Sequence, residues 1–213
     1  DKAQLDVELE LATDFLKSGL LDRAERLLCD LLLEEGHTRG QAAGLLVQLY
    51  EEEKEWNAIL KLYKSSKLPD IPDISSRVAQ AACEYANELF LGGDFLESHK
   101  FLKFAIKVNP LCARANVIFA QVAASQYEYH EAIRCYLKAL KQDSNVMLAV
   151  LPKMAECFIE LGDLQGLDQQ LSLHWQNNHD VEVLVTRVKL LADQDFQQQA
   201  IEILLTELFQ HPS

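Results

Sequence analysis

The apolar and polar positions of the chain fall into one repeated phrase. Residues 93–110 read GDFLESHKFLKFAIKVNP: a Gly-Asp opening, a run with helical spacing of its apolar positions, and a stop at Asn-Pro. Residues 127–144, YEYHEAIRCYLKALKQDS, repeat the cadence 34 residues later, and residues 19–36, GLLDRAERLLCDLLLEEG, carry it near the start. A small residue stands in the middle of each phrase: Ala24, Ser98 and Ala132. The same slot recurs at Ala58, at Leu167 in a weaker copy and at Ala200, giving steps of 34, 40, 34, 35 and 33 residues.

A 34-residue period is the mark of the tetratricopeptide repeat, in which two antiparallel helices, A and B, are joined by a turn. Twelve residues before each slot, helix A needs a small side chain so that helix B can approach. Ala12, Ala86, Ala120 and Ala155 stand there, with Leu46 and Val188 fitting less well. Gly19, Gly93 and Gly162 fall at the A-to-B turn, where glycine takes the left-handed backbone that ends a helix. Four residues after the slot come large apolar or aromatic knobs for the next repeat: Leu28, Leu62, Leu102, Tyr136, Leu171 and Leu204. Pro110 and Pro212 stop helix B. The 40-residue step contains KLPDIPDISS, residues 67–76, whose Pro69 and Pro72 lengthen the connection, with Asp73, Ser75 or Ser76 expected to cap the next helix. The pattern therefore predicts an all-α tetratricopeptide-repeat solenoid of about six helix-turn-helix units in a right-handed superhelix. The repeats lie near residues 5–36, 37–70, 76–110, 111–145, 147–179 and 180–213.

Composition agrees with this picture. Nearly half of the 213 residues are apolar (49%), which supports a large core, and only 8 glycines and 5 prolines interrupt helices. The net charge of −13 is uneven. Residues 1–60 carry 14 acids against 6 bases, residues 61–150 carry 9 against 11, and residues 151–213 carry 10 against 3. An acidic body argues against nucleic acid as a partner, because phosphate contacts need clustered Lys and Arg. The slightly basic middle is the better place for an acidic segment of a partner. No apolar run approaches the roughly 20 residues that span a bilayer. The chain opens without an initiator methionine, and IEILLTELFQ (201–210) is apolar on more than one face, so more protein is expected beyond Ser213. Five scattered cysteines, 54, 29, 23 and 22 residues apart, make neither a disulfide framework nor a Cys-x-x-Cys metal site, and they fit a reducing compartment.

The sequence holds no nucleotide, nucleophile or zinc motif. LGGDF lacks the spacing of a phosphate loop, and HEAIRC places Arg134 where a zinc-binding His would stand, leaving His130 at an exposed helix start. His174 and His179, with Asn177, Asn178 and Asp180, read as a polar turn. YEEEKEW (50–56) reads as a solvated turn. The chain is thus expected to be no enzyme and to bind no small-molecule substrate. The A helices line the face on which this fold binds. In repeats three to five that face includes Cys83, Glu84, Asn87, Arg114, Val117, Ile118, Gln121, Lys153 and Glu156. Asn87, Arg114, Gln121 and Lys153, beside Glu156, are the candidate groove residues for a peptide backbone or an acidic side chain. Co-chaperone repeats that clamp a C-terminal carboxylate place Lys and Asn where this chain has Leu9 and Thr13, so that subtype is disfavoured.

Three phrases carry a closer resemblance: LELATDFLKSGLLDRAERLL (9–28), LYEEEKEWNAI (49–59) and RVAQAACEYANELFLGGDFLESHKFLKFAIKVNP (77–110). They resemble the lipopolysaccharide assembly protein B family of bacterial inner-membrane regulators of lipid A synthesis. The resemblance runs through the whole chain and weakens after about residue 140. It implies an adaptor on the cytoplasmic face of the inner membrane that helps a membrane AAA+ protease degrade the lipid A deacetylase, beside other lipopolysaccharide assembly proteins. The family also carries a membrane helix and a rubredoxin-like iron or zinc module with two Cys-x-x-Cys pairs. Neither stands in these residues, so no anchor and no metal is expected of them. The alternative is a generic chaperone-type or secretion-type peptide-binding repeat module.

Overall fold

The computed structural model describes residues 2–65, 71–193 and 196–210. Twelve α-helices account for nearly all of them: α1 Lys2–Lys17, α2 Leu21–Leu31, α3 His37–Glu52, α4 Trp56–Lys64, α5 Ile74–Leu91, α6 Phe95–Val108, α7 Ala113–Ser125, α8 Tyr129–Gln142, α9 Met147–Glu160, α10 Leu164–Asn178, α11 Val181–Ala192 and α12 Gln197–Gln210. A 3₁₀ turn, Ser144–Val146, leads into α9. The all-α architecture of paired helices is the tetratricopeptide type that the period predicts. The chain forms two compact units, divided within α7 after Phe119.

One local device makes the pairs. In each of the first five turns the helix closes with the same two backbone hydrogen bonds, one from the fifth residue to the second and one from the sixth to the first. After α1 these are Gly19 N–H to Leu16 C=O (3.1 Å) and Leu20 N–H to Phe15 C=O (2.9 Å). After α5 they are Gly93 to Phe90 (3.0 Å) and Asp94 to Leu89 (2.8 Å), and after α9 Gly162 to Ile159 (2.9 Å) and Asp163 to Phe158 (3.0 Å). This is the Schellman closure, which needs a left-handed residue. Gly19, Gly93 and Gly162 hold φ of 72°, 84° and 68°. The turns after α3 and α7 make the same bonds around Lys54 (φ 59°) and Tyr127 (φ 61°), where no glycine marked the place in the sequence.

Helices then bury their small slots. In unit 1, Ala12, Ala24, Ala86 and Ser98 are fully buried, as are the knobs Leu28 and Leu102. The first core joins Ala12, Leu28, Leu31, Ala42, Leu46 and Ile71, so Leu46 is accommodated where a smaller residue was expected. Here α2 packs on α1 and α3, and α5 packs on α4 and α6. In unit 2, Ala120, Ala132, Tyr136, Leu167 and Leu171 are buried, and α8–α9, α9–α10, α10–α11 and α11–α12 are in contact. Burying an apolar side chain of Leu size stabilises by about 2 kcal/mol, so each repeat stands mainly on its neighbours.

Two expectations, the cap of α5 and the burial of Leu204, need correction. Asp73 sits at the N-cap of α5, but it is itself left-handed (φ 58°) and its side chain accepts no capping bond, while Ser75 and Ser76 lie inside the helix. Side-chain caps stand at other helices: Asp94 at α6, accepting from Glu97 N–H (3.1 Å), and Asp163 at α10, accepting from Gly166 N–H (2.9 Å). Leu204 is exposed rather than buried. Cys29 is exposed, whereas Cys83 and Cys157 are buried. Pro69, residues 66–70 of the long connection and Pro212 lie outside the described residues.

Candidate functional site

The A helices of unit 1 present a row of polar side chains that are bonded to one another. Arg77, in the first turn of α5, reaches back to Glu51 near the end of α3, with Nε to Oε1 at 2.9 Å and Nη2 to Oε2 at 2.7 Å. Those bonds raise the guanidinium pKa above its ordinary value, against the opposing effect of burial. Arg114, in the first turn of α7, makes the same fork with Glu84 of α5 (3.1 and 3.3 Å). Gln80, one turn earlier on α5, donates to Glu84 at 2.6 Å and fixes its carboxylate. A planar guanidinium matches a carboxylate with two parallel bonds, so each pair sets the register of one A helix on the next. Tyr50 Oη donates to Glu25 at 2.7 Å and links α3 to α2. Burial first, and Glu25 second, push that phenol above its ordinary range.

The five candidate groove residues divide between the units. Asn87 and Arg114 belong to unit 1; Gln121, Lys153 and Glu156 belong to unit 2. Asn87 and Gln121 are half-buried. Lys153 is exposed on α9 and bonds Glu156 one turn on, at 2.9 and 3.2 Å. Both candidate cations therefore have an acid already in place, Arg114 with Glu84 and Lys153 with Glu156. Glu84 plays a larger part than its sequence position suggested. Cys83, Val117 and Ile118, placed on the face by counting helix positions, are buried instead.

Several features escaped the sequence. Cys83 of α5 and Cys112, the residue before α7, bring their sulfurs to 3.6 Å. Among the described residues no group of three His, Cys, Asp or Glu is placed to hold a metal ion, so these thiols do not form the four-ligand site of a rubredoxin-like module. In unit 2, α8, the 3₁₀ turn and α10 enclose a groove of about 590 Å³ with Leu137, Leu140, Met147 and Leu173 on its walls. His174 at its edge is nearly buried, with Nε2 at 2.5 Å from Asp180 and Nδ1 at 3.3 Å from the Asn178 amide. The polar cluster 174–180 is thus a cap between α10 and α11. Arg187 of α11 forks onto Asp168 of the preceding B helix, α10 (2.7 and 3.2 Å), with the bidentate geometry of the unit 1 pairs but a different pairing of helices. In YEEEKEW, residues 52–55 are solvated as expected, whereas Glu51 is taken by Arg77. His130 is exposed at the start of α8. Among the described residues no helix is long and apolar enough to cross a membrane.

The sequence comparisons agree with the three phrases above. The chain is homologous to lipopolysaccharide assembly protein B of Haemophilus influenzae, with 29% identity over 206 residues that cover 96% of this chain and 51% of that protein. The protein of the same name from Escherichia coli K12 is 22% identical over 206 residues, covering 96% of this chain and 52% of its own length. The chain thus spans about half the length of the curated relatives it matches. No protein-family profile matches it. Among solved structures, Pseudomonas aeruginosa PilF aligns over 100% of this chain and 94% of its own, at 16% identity and a TM-score of 0.48.

Proposed function

We propose that this chain is a non-catalytic protein-binding scaffold that regulates lipopolysaccharide synthesis. As an adaptor it presents the lipid A deacetylase to a membrane AAA+ protease at the cytoplasmic face of the inner membrane. The observation that carries the reading is homology to lipopolysaccharide assembly protein B along 96% of the chain. The surface chemistry supports it. An adaptor needs faces and no reacting group: in unit 1 the half-buried amide Asn87 is on offer with the Glu84–Arg114 fork, and in unit 2 the half-buried amide Gln121 with the Lys153–Glu156 pair, each unit by itself. Such a surface suits an extended polar segment, bound through backbone hydrogen bonds more than through net charge. The chain itself uses no cofactor; the iron or zinc module of the family lies elsewhere.

Affinity capture from membrane extract, probed by antibody for the deacetylase and the protease, tests the reading. Recovery of both is expected. Recovery of neither, with unrelated unfolded segments in their place, would support a generic peptide-binding repeat instead.

A further inference from the structure

We propose that Cys112 and Cys83 form a redox-active dithiol, with Cys112 the site attacked by hydroperoxides and Cys83 the thiol that resolves it into an intramolecular disulfide. The sulfurs already stand 3.6 Å apart, across the junction of the third and fourth repeats. Their environments differ in the way such a pair requires. Cys83 is fully buried on α5, out of reach of an external oxidant. Cys112 is half-exposed in the short connection that leads into α7. It immediately precedes α7, and the first-turn backbone of that helix and the Arg114 guanidinium act on its sulfur to favour the charged form. Positive partial charge at that end favours a thiolate.

The titration of the two thiols runs the same way. The hydrogen bond from Cys83, then the α7 backbone and Arg114, lower Cys112 to about 6 against the effect of burial. Cys83 is pushed up by its contact with Cys112 and by burial. The contrast with two other thiols is sharp. Burial and Glu131 push Cys135 up to about 11, and burial raises Cys157. The thiolate is therefore favoured at Cys112 and disfavoured at Cys135 and Cys157.

The chemistry balances with a hydroperoxide as oxidant. The Cys112 thiolate attacks the outer peroxide oxygen, an S–O bond forms, the O–O bond breaks, and the alkoxide leaves and takes up a proton as the alcohol. Cys83 sulfur then attacks the Cys112 sulfenic acid. The S–S bond forms, the S–O bond breaks, and water leaves with the proton that Cys83 gives up. Two thiols lose two electrons in all, and the peroxide gains them. Closing from 3.6 Å to a bonded separation of about 2 Å asks for a shift of about 1.5 Å, which the connection 109–112 is placed to supply. The product ties α5 covalently to the start of α7, beside the Glu84–Arg114 fork, and makes the register of these two repeats depend on peroxide.

The test uses the reduced chain with equimolar to tenfold hydrogen peroxide at neutral pH, alkylation of the remaining thiols and peptide mass analysis. Two of the five thiols should be lost, with one cross-linked peptide pair joining Cys83 to Cys112. Cys112→Ser should slow thiol loss at least tenfold. Cys83→Ala should leave a Cys112 sulfenic acid that dimedone traps, with helical dichroism confirming the fold. Because Cys83 is buried, the wild-type cross-link stands as an independent readout. Five thiols still alkylated after peroxide would overturn the proposal. So would a disulfide that omits Cys112 or Cys83, or a Cys112→Ser chain oxidised at the wild-type rate.

Discussion

Replacing Lys54 by glycine should stabilise the protein, although the mutation removes a side chain and adds none. Lys54 is the left-handed residue of the turn between α3 and α4, at φ 59°. Holding an ordinary L-residue there costs about 1–2 kcal/mol, because Cβ crowds the following carbonyl. Glycine escapes that cost but loses about 0.5–1 kcal/mol more backbone entropy on folding. The balance favours Lys54→Gly by about 0.5–1 kcal/mol. Lys54 is exposed, so little packing is lost. The reverse experiment sits at Gly93, where φ is 84° and an added Cβ would meet nothing within 4 Å. Gly93→Ala therefore isolates the backbone effect and should cost about 1 kcal/mol. Urea unfolding followed by helical dichroism reads both. The midpoint should rise for Lys54→Gly and fall for Gly93→Ala, with an unchanged slope. A midpoint lowered by Lys54→Gly, or unmoved by Gly93→Ala, would refute the left-handed closure as the common basis of the turns.

Ser98→Ala should raise the urea midpoint by about 1 kcal/mol of stability, because Ser98 Oγ is buried without a hydrogen-bond partner. A lower midpoint would mean that the hydroxyl has an unseen partner. Arg77→Ala should cost about 1 kcal/mol, since Glu51 is left half-buried without its fork, and Glu51→Gln in the same background should cost little more. Additive costs in that double-mutant cycle would show the pair to be idle. Ala132→Asp places a charge at a fully buried slot and should cost about 3–5 kcal/mol, read as loss of helicity at moderate temperature. Arg114→Glu with Lys153→Glu removes the partners of Glu84 and Glu156 and should weaken capture of the deacetylase with little change in its salt dependence; capture unchanged in a folded double variant would move the partner contact off the A-helix face.

What could be read from the sequence was whatever a residue's own chemistry announces. Small slots such as Ala24, Ala86 and Ala132 declare a period because only small side chains fit between two close helices. Glycine announces a left-handed turn at Gly19, Gly93 and Gly162, yet the same turn around Lys54 and Tyr127 is silent, since residue type does not disclose φ. Asp73 looked like a cap for the opposite reason: its type suits the role, but its own backbone is left-handed and its side chain accepts no capping bond. Pairings across repeats were out of reach. The forks Glu51–Arg77, Glu84–Arg114 and Asp168–Arg187 span 26, 30 and 19 residues, with no constant spacing to count. The Cys83–Cys112 approach is hidden in the same way, because two thiols 29 residues apart meet only once the helices stack. Counting helix positions marked Arg114 and Lys153 on a face together with Glu84 and Glu156, but it could not show that Arg114 bonds Glu84 across 30 residues.

The central claim, that this chain works as an adaptor in lipid A control, is tested most directly by the half-life of the lipid A deacetylase in cells depleted of the protein. The account predicts a longer half-life and excess lipopolysaccharide. Wild-type protein supplied in trans should reverse both, and the Ala132→Asp variant should not. A deacetylase half-life unchanged by depletion would contradict the adaptor reading and leave a peptide-binding repeat with another client.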